Sequence, residues 1–227
     1  MTKKIRSVSN TCIIMLVCIG INYMGKVLAA DWQLPLWMDS IGTGMSACLL
    51  GPFFGALCGA TNNILYGMRN VTSYAYAVTS VAIAIVMGIC MRRHMIRDWF
   101  GVFTTSALVS VVAVVVSTPF NLIFFQGYNG NLWGDALFDM FRYYRIPVVI
   151  ASVLSELLVD FPDKVVTVCI IFGILGIIKS DRFECNAERK SSGALMIGIV
   201  VTAALIGSGQ KCEIGRASCR ERVSGIV

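Results

Sequence analysis

The sequence predicts an all-α membrane protein: a six-helix transmembrane bundle, with the start of a seventh helix and a cytoplasmic N-terminus. Three observations predict it. The 227 residues are 56% hydrophobic and only 14% charged, with a mean hydropathy of +0.74, which lies outside the range of soluble domains. Apolar runs of about 17–25 residues, the length that crosses a hydrocarbon core, recur along the chain. Lysine and arginine collect in alternate connections, the bias that orients multi-spanning proteins.

The predicted spans are 11–30, 39–50, 52–68, 74–91, 99–124 and 163–178. Thr11–Ala30 has no small-residue cleavage site and reads as a retained helix. Gly51-Pro52 separates the second span from the third. With six spans, Lys3, Lys4, Arg6, Arg92, Arg93, Arg97, Lys179, Arg182, Arg189 and Lys190 all fall on one side, which is therefore cytoplasmic. Trp32, Trp37 and Trp133 sit at outer boundaries and Trp99 at an inner one, as an aromatic belt requires. The net charge of +6 is thus an orientation signal; a basic, aromatic-interleaved surface for nucleic acid is missing.

Between the fifth and sixth spans, residues 127–161 do not read as a crossing. Leu132–Arg145 has the spacing of an interfacial helix, and Pro147 starts a short helix leading toward Asp160. The transmembrane domain is thus 1–180. Residues 181–212 read as a cytoplasmic linker and the start of a further helix at Ser192–Ser208. Residues 213–223, EIGRASCRERV, resemble the in-frame translation of a sequencing-library adapter, so 213–227 is set aside as not native. The nine cysteines lack ligand spacing and read as small apolar packing residues.

Residues 34–67, LPLWMDSIGTGMSACLLGPFFGALCGATNNILYG, carry the most information. Gly51, Gly55, Gly59 and Gly67 make a helix-packing stripe where another backbone approaches closely. Asp39, Asn62 and Asn63 are costly against lipid, so they face an interior or a cavity. Other polar groups gather at the same outer depth: Asn22 and Lys26, Tyr66, Tyr74 and Tyr76, Thr118, Asn121 and Gln126, and then Glu156, Asp160, Asp163 and Lys164. Together they outline a cup open to the outside. Each has a plainer reading beside it. Asn62 and Asn63 also suit helix–helix hydrogen bonds, Asp39 an N-cap, Asp163–Lys164 a helix N-terminus, and Tyr74 a belt aromatic.

Catalytic patterns are missing. No glycine-rich phosphate loop, histidine-rich metal spacing, or serine or cysteine beside a base is present. Asp39 and Asp160 are the only remote candidates for a two-aspartate intramembrane protease, and both sit at interfaces. The expectation is a protein that is not an enzyme and needs no cofactor or metal.

The block at 34–67, together with ELLVDFPDKVVTVCIIFGILGII, resembles the substrate-binding S components of energy-coupling factor (ECF) importers. The resemblance covers roughly residues 8–180. It implies a multi-pass cell-membrane subunit that captures a vitamin or similar micronutrient from outside. The cargo then passes through a transmembrane coupling protein driven by cytoplasmic ATPase subunits. It further implies a lid at Ala30–Trp37 and a cup drawing on Tyr74, Asn121, Gln126, Asp160 and Lys164. The candidates for substrate binding are Asp39, Asn62, Asn63, Tyr66, Tyr74, Asn121, Gln126, Asp160, Asp163 and Lys164. Two departures, the missing alanine pair on the first helix and the long 127–161 segment, favour an alternative. In it, the same domain is the membrane-embedded sensor of a signalling protein with a cytoplasmic output domain.

Overall fold

Helices begin and end in this chain where the backbone chemistry says they should. The computed structural model describes residues 2–178, with side chains for residues 10–177. The further helix at Ser192–Ser208, the tail, and the side chains of Lys3, Lys4 and Arg6 lie outside them. Among the described residues there are seven α-helices, one 3₁₀ turn and no strand.

Helix α1 runs from Thr2 to Asp31 and stops where Gln33 adopts a positive φ of 49°. Helices α2 (Ile41–Leu49) and α3 (Pro52–Gly67) are parted by Gly51 at φ 106°, a conformation a side chain would strain, with Pro52 opening α3. A 3₁₀ turn (Val71–Tyr74), capped by Asn70, leads into α4 (Tyr76–Arg92). Asp98 caps α5 (Trp99–Phe125) by accepting from Gly101 N at 2.8 Å. Asn131 caps α6 (Leu132–Tyr143) by accepting from the backbone of Trp133 and Gly134.

The last helix differs from expectation. In place of a short helix after Pro147 and a span from 163, one helix, α7, runs unbroken from Val148 to Ile178. Glu156, Asp160, Asp163, Lys164 and Thr167 recur at helical spacing and are all buried, so the charges lie on one inward face and need no helix end. Pro162 sits within it on the exposed side, where its ring is tolerated at the cost of one backbone bond.

Helix α2 lies at the centre, against α1, α3, α4 and α7. Around it the helices follow in the order α1, α3, α4, α5, α7, each packed on the next, while α6 rests on α7. The apolar core gathers toward the end where α5 starts and α7 finishes, from Ile96, Val102, Phe172 and Leu175 to Met87 and Ile171. The outer surface is apolar as well. On α5 the buried face carries Thr105, Ser106, Ser110, Ser117, Thr118 and Asn121, while Phe103, Leu108, Val111 and Val115 point outward. Two helical stretches, Asn10–Asp31 and Trp99–Phe125, are long and apolar enough to cross a membrane.

The glycine stripe packs inside the protein. A Cβ on Gly55 would meet Ala47 of α2 at 2.5 Å, and one on Gly59 would meet Ser80 of α4 at 2.9 Å and Thr43 of α2 at 3.0 Å. Gly67 lies under the ring of Tyr74. Gly51 is different: it serves the turn, and its nearest neighbour is the Arg92 guanidinium at 3.8 Å. Gly59→Ala is therefore expected to destabilise the protein by about 1–3 kcal/mol through overpacking. Gly20→Ala, with nothing within 4 Å, is the matched control and should leave the thermal midpoint unchanged or raised. Equal midpoints for the two variants would contradict the close packing of α3.

Candidate functional site

The site is built at the end of the bundle where α1, α3 and α5 finish and α4 begins. A cavity of about 240 Å³ opens there. Its walls come from Lys26 of α1, the α1–α2 connection at Gln33–Asp39, Tyr66, Tyr76 and Ser80, Ser117, and Glu156, Asp160 and Lys164 of α7. Asn129–Leu132, between α5 and α6, complete the rim.

Two buried lysines anchor it. Lys26 Nζ donates to Asn63 Oδ1 at 2.7 Å and to Asp39 Oδ2 at 3.3 Å, and it lies 5.0 Å from the centre of the Tyr66 ring. Lys164 is 2% exposed and sits between Asp163 Oδ2 (2.7 Å) and Asp160 Oδ1 (2.9 Å). A buried charge needs such partners, because an unpaired one would be far costlier than the pair.

The α1–α2 connection is clasped from two sides. Asp163 Oδ1 accepts the backbone N–H groups of Trp37 (2.9 Å) and Met38 (2.8 Å), the latter at a φ of 52°. From the other side, Trp133 Nε1 donates to Gln33 O at 3.1 Å and Asn131 Nδ2 to Leu34 O at 3.3 Å. One edge of this connection, Leu34, Leu36 and Trp37, lines the cavity while α6 and α7 hold it.

An aromatic wall stands beside it. Tyr76 stacks on Phe125 with centroids 6.3 Å apart and leans on Trp37 at the same distance. Its hydroxyl lies 2.6 Å from Asn121 Oδ1 and 3.1 Å from Asn129 O. Asn121 in turn donates to Glu156 Oε2 at 2.7 Å, and Ser117 and Thr118 also point hydroxyls at that carboxyl. On the rim, Asp135 accepts from Asn129 N (3.0 Å) and Gly130 N (3.2 Å), ordering the loop that leads into α6. Partial burial pushes the Asp135 carboxyl up from the usual carboxylate range, against those two bonds.

Of the residues proposed from sequence, Asp39, Tyr66, Asp160 and Lys164 meet at the cavity. Asn63, Asn121 and Asp163 stand one layer behind, bonded to Lys26, Tyr76 and Lys164. Three lie elsewhere. Gln126 is exposed and closes α5 in a left-handed conformation at φ 56°, Tyr74 is 45% exposed over Gly67, and Asn62 is fully buried away from the cavity. Asp39 does not cap α2, since its carboxylate is turned to Lys26 and Ser40. Asp163 is no helix start either, because it lies in the middle of α7.

Lys26, Tyr76 and Glu156, read from the sequence as part of the outer cup though not among the binding candidates, also line the cavity, as do Ser80 and Ser117, which the sequence reading did not name. Tyr76 and Ser80 stand one helical turn apart, as do Ser117 and Asn121, and those i, i+4 polar pairs were the available signal. Among the described residues no cluster of histidine, cysteine or acids is arranged to hold a metal. Comparison of the chain with protein-family models, curated proteins and solved structures gave no match.

Proposed function

We propose that this chain is the substrate-capture subunit of an ECF-type importer. It is a multi-pass protein of the cell membrane with its N-terminus inside. It takes a micronutrient from the outer side and delivers it through a coupling protein and ATPase subunits, catalysing nothing itself.

The observation that carries the reading is the cavity: a space of small-molecule size, with buried polar groups placed among aromatics, under a tethered connection. The membrane part draws on the reversed polarity of the helices. Phe103, Leu108, Val111 and Val115 face outward while serine, threonine and asparagine face inward on α5, and Ile13, Leu16, Val17 and Met24 are exposed on α1. Exposed apolar surface on that scale suits lipid and is unstable in water. With α6 at the outer surface, six passes remain: the helices α1, α3, α4, α5 and α7, and a return made by the α1–α2 connection together with α2, whose nine residues are too short to cross alone. Tyr143 and Tyr144, both strongly exposed at the end of α6, suit the interfacial layer.

The test is affinity purification of the intact protein from its own membranes. A coupling protein and two ATPases should co-purify, and mass spectrometry should find one small molecule bound in stoichiometric amount. Absence of all three partners, with a small molecule still bound, would favour the sensory-domain reading.

A further inference from the structure

Carboxyls outnumber lysines at the cavity, and the excess names a class of ligand. Lys26 and Lys164 face Asp39, Glu156 and Asp160 across the cavity, with Asp163 bonded behind Lys164: two cations against four carboxyls. Both lysines already have an acid as charge partner. Each makes two bonds to buried oxygen acceptors, which leaves a single N–H on each ammonium.

Glu156 is the carboxyl without a cation. It is 6% exposed and lines the cavity, and its hydrogen-bond partners are the uncharged Ser117, Thr118 and Asn121. Ser117 has a single hydroxyl hydrogen and also lies 2.7 Å from Ala113 O, so it cannot serve both acceptors at once. One turn further along the same face of α7, Asp160 has a second, independent vacancy in its bonding. Its Oδ1 meets Lys164, but its Oδ2 is buried and makes no hydrogen bond. The uncharged donor beside that carboxyl is the Ser110 hydroxyl of α5, which does not line the cavity. Two carboxyls four residues apart, Glu156 and Asp160, therefore both line the space that Trp37 and Tyr76 also line.

Resting on the capture reading above, we infer that the cavity takes a planar organic cation, an amidinium-like or protonated-amine group that donates to Glu156 and Asp160 with its flat part against Trp37 and Tyr76. Glu156 supplies the charge partner, and Asp160, which also lines the cavity, a second carboxyl. Such charge-assisted, two-point recognition is stronger than neutral hydrogen bonding.

The test uses three small probes of one shape and different charge: benzamidine (cation), benzamide (neutral) and benzoate (anion). Their binding to the full purified chain is measured by calorimetry. Benzamidine should bind with a Kd on the order of a millimolar, as suits so small a ligand, and tighter than the other two. Glu156→Gln should weaken benzamidine by about tenfold or more and leave benzamide unchanged. Glutamine keeps the size of the side chain and an acceptor for Asn121, and Asp160→Asn is the second variant should the first not fold. Benzoate binding tightest, benzamidine no better than benzamide, or no loss in the variants would overturn the inference. The importer reading fails separately. A bound neutral or anionic nutrient with coupling partners present leaves transport standing and removes the cation; a cation-selective cavity without partners does the reverse.

Discussion

Lys164→Met is expected to cost about 3–5 kcal/mol of stability, because it strands two buried carboxylates. Lys164 is 2% exposed, and its ammonium joins Asp160 and Asp163, neither of which has another cation within ion-pair distance among the described residues. For a chain of this size the loss should appear as a fall in thermal midpoint on the order of 10 °C, measured on the intact protein in lipid nanodiscs. The triple variant Lys164→Met, Asp160→Asn, Asp163→Asn should recover most of it, since no buried charge is then left over. A single variant with an unchanged midpoint would mean that the ion pairs do not form. The residue that touches the cavity also neutralises two buried acids of its own helix, so its loss is expected to reach stability as well as binding.

Asp163→Ala should release the α1–α2 connection. It removes the acceptor for two backbone N–H groups, those of Trp37 and Met38, and a bond to a charged acceptor contributes about 1.5–3 kcal/mol. Hydrogen exchange at these two amides should speed up by at least about tenfold, the equivalent of about 1.4 kcal/mol. Bound ligand should leave correspondingly faster. Asp163→Asn separates the cause: it removes the charge beside Lys164 but keeps an oxygen for the two amides. Exchange should stay near wild type there, and equal acceleration in both variants would assign the effect to the ion pair instead.

The order and extent of most helices were legible because they rest on local rules. Gly51-Pro52, the apolar run of α5 and the asparagine before α6 each act within a few residues. Helix α7 was not read whole because its four charged residues lower its hydropathy. Their 156, 160, 163, 164 spacing, read as a face, places them all inward. The depth of the site was legible for a related reason: the polar residues cluster at one end of successive helices. Which of them meet was not. The contacts that define the cavity join distant positions, Lys26 with Asn63 across 37 residues and Ser117 with Glu156 across 39. Spacing along one helix gives a side chain's height and leaves its bearing toward other helices open. That is why Asn62 and Asn63, adjacent in sequence, part company, one bonded to Lys26 and Ser80 and the other to nothing.

Asp163 divides its two oxygens between two jobs: Oδ1 holds the connection over the cavity, and Oδ2 holds Lys164, whose ammonium faces that cavity. On the capture function proposed above, this carboxylate joins cargo and cover in one equilibrium. A ligand that shifts Lys164 changes the strength with which the cover is held, and a cover held more tightly must raise the affinity for that ligand by the same factor. Retention of cargo and closure over it are then one free energy, read at two places on a single side chain.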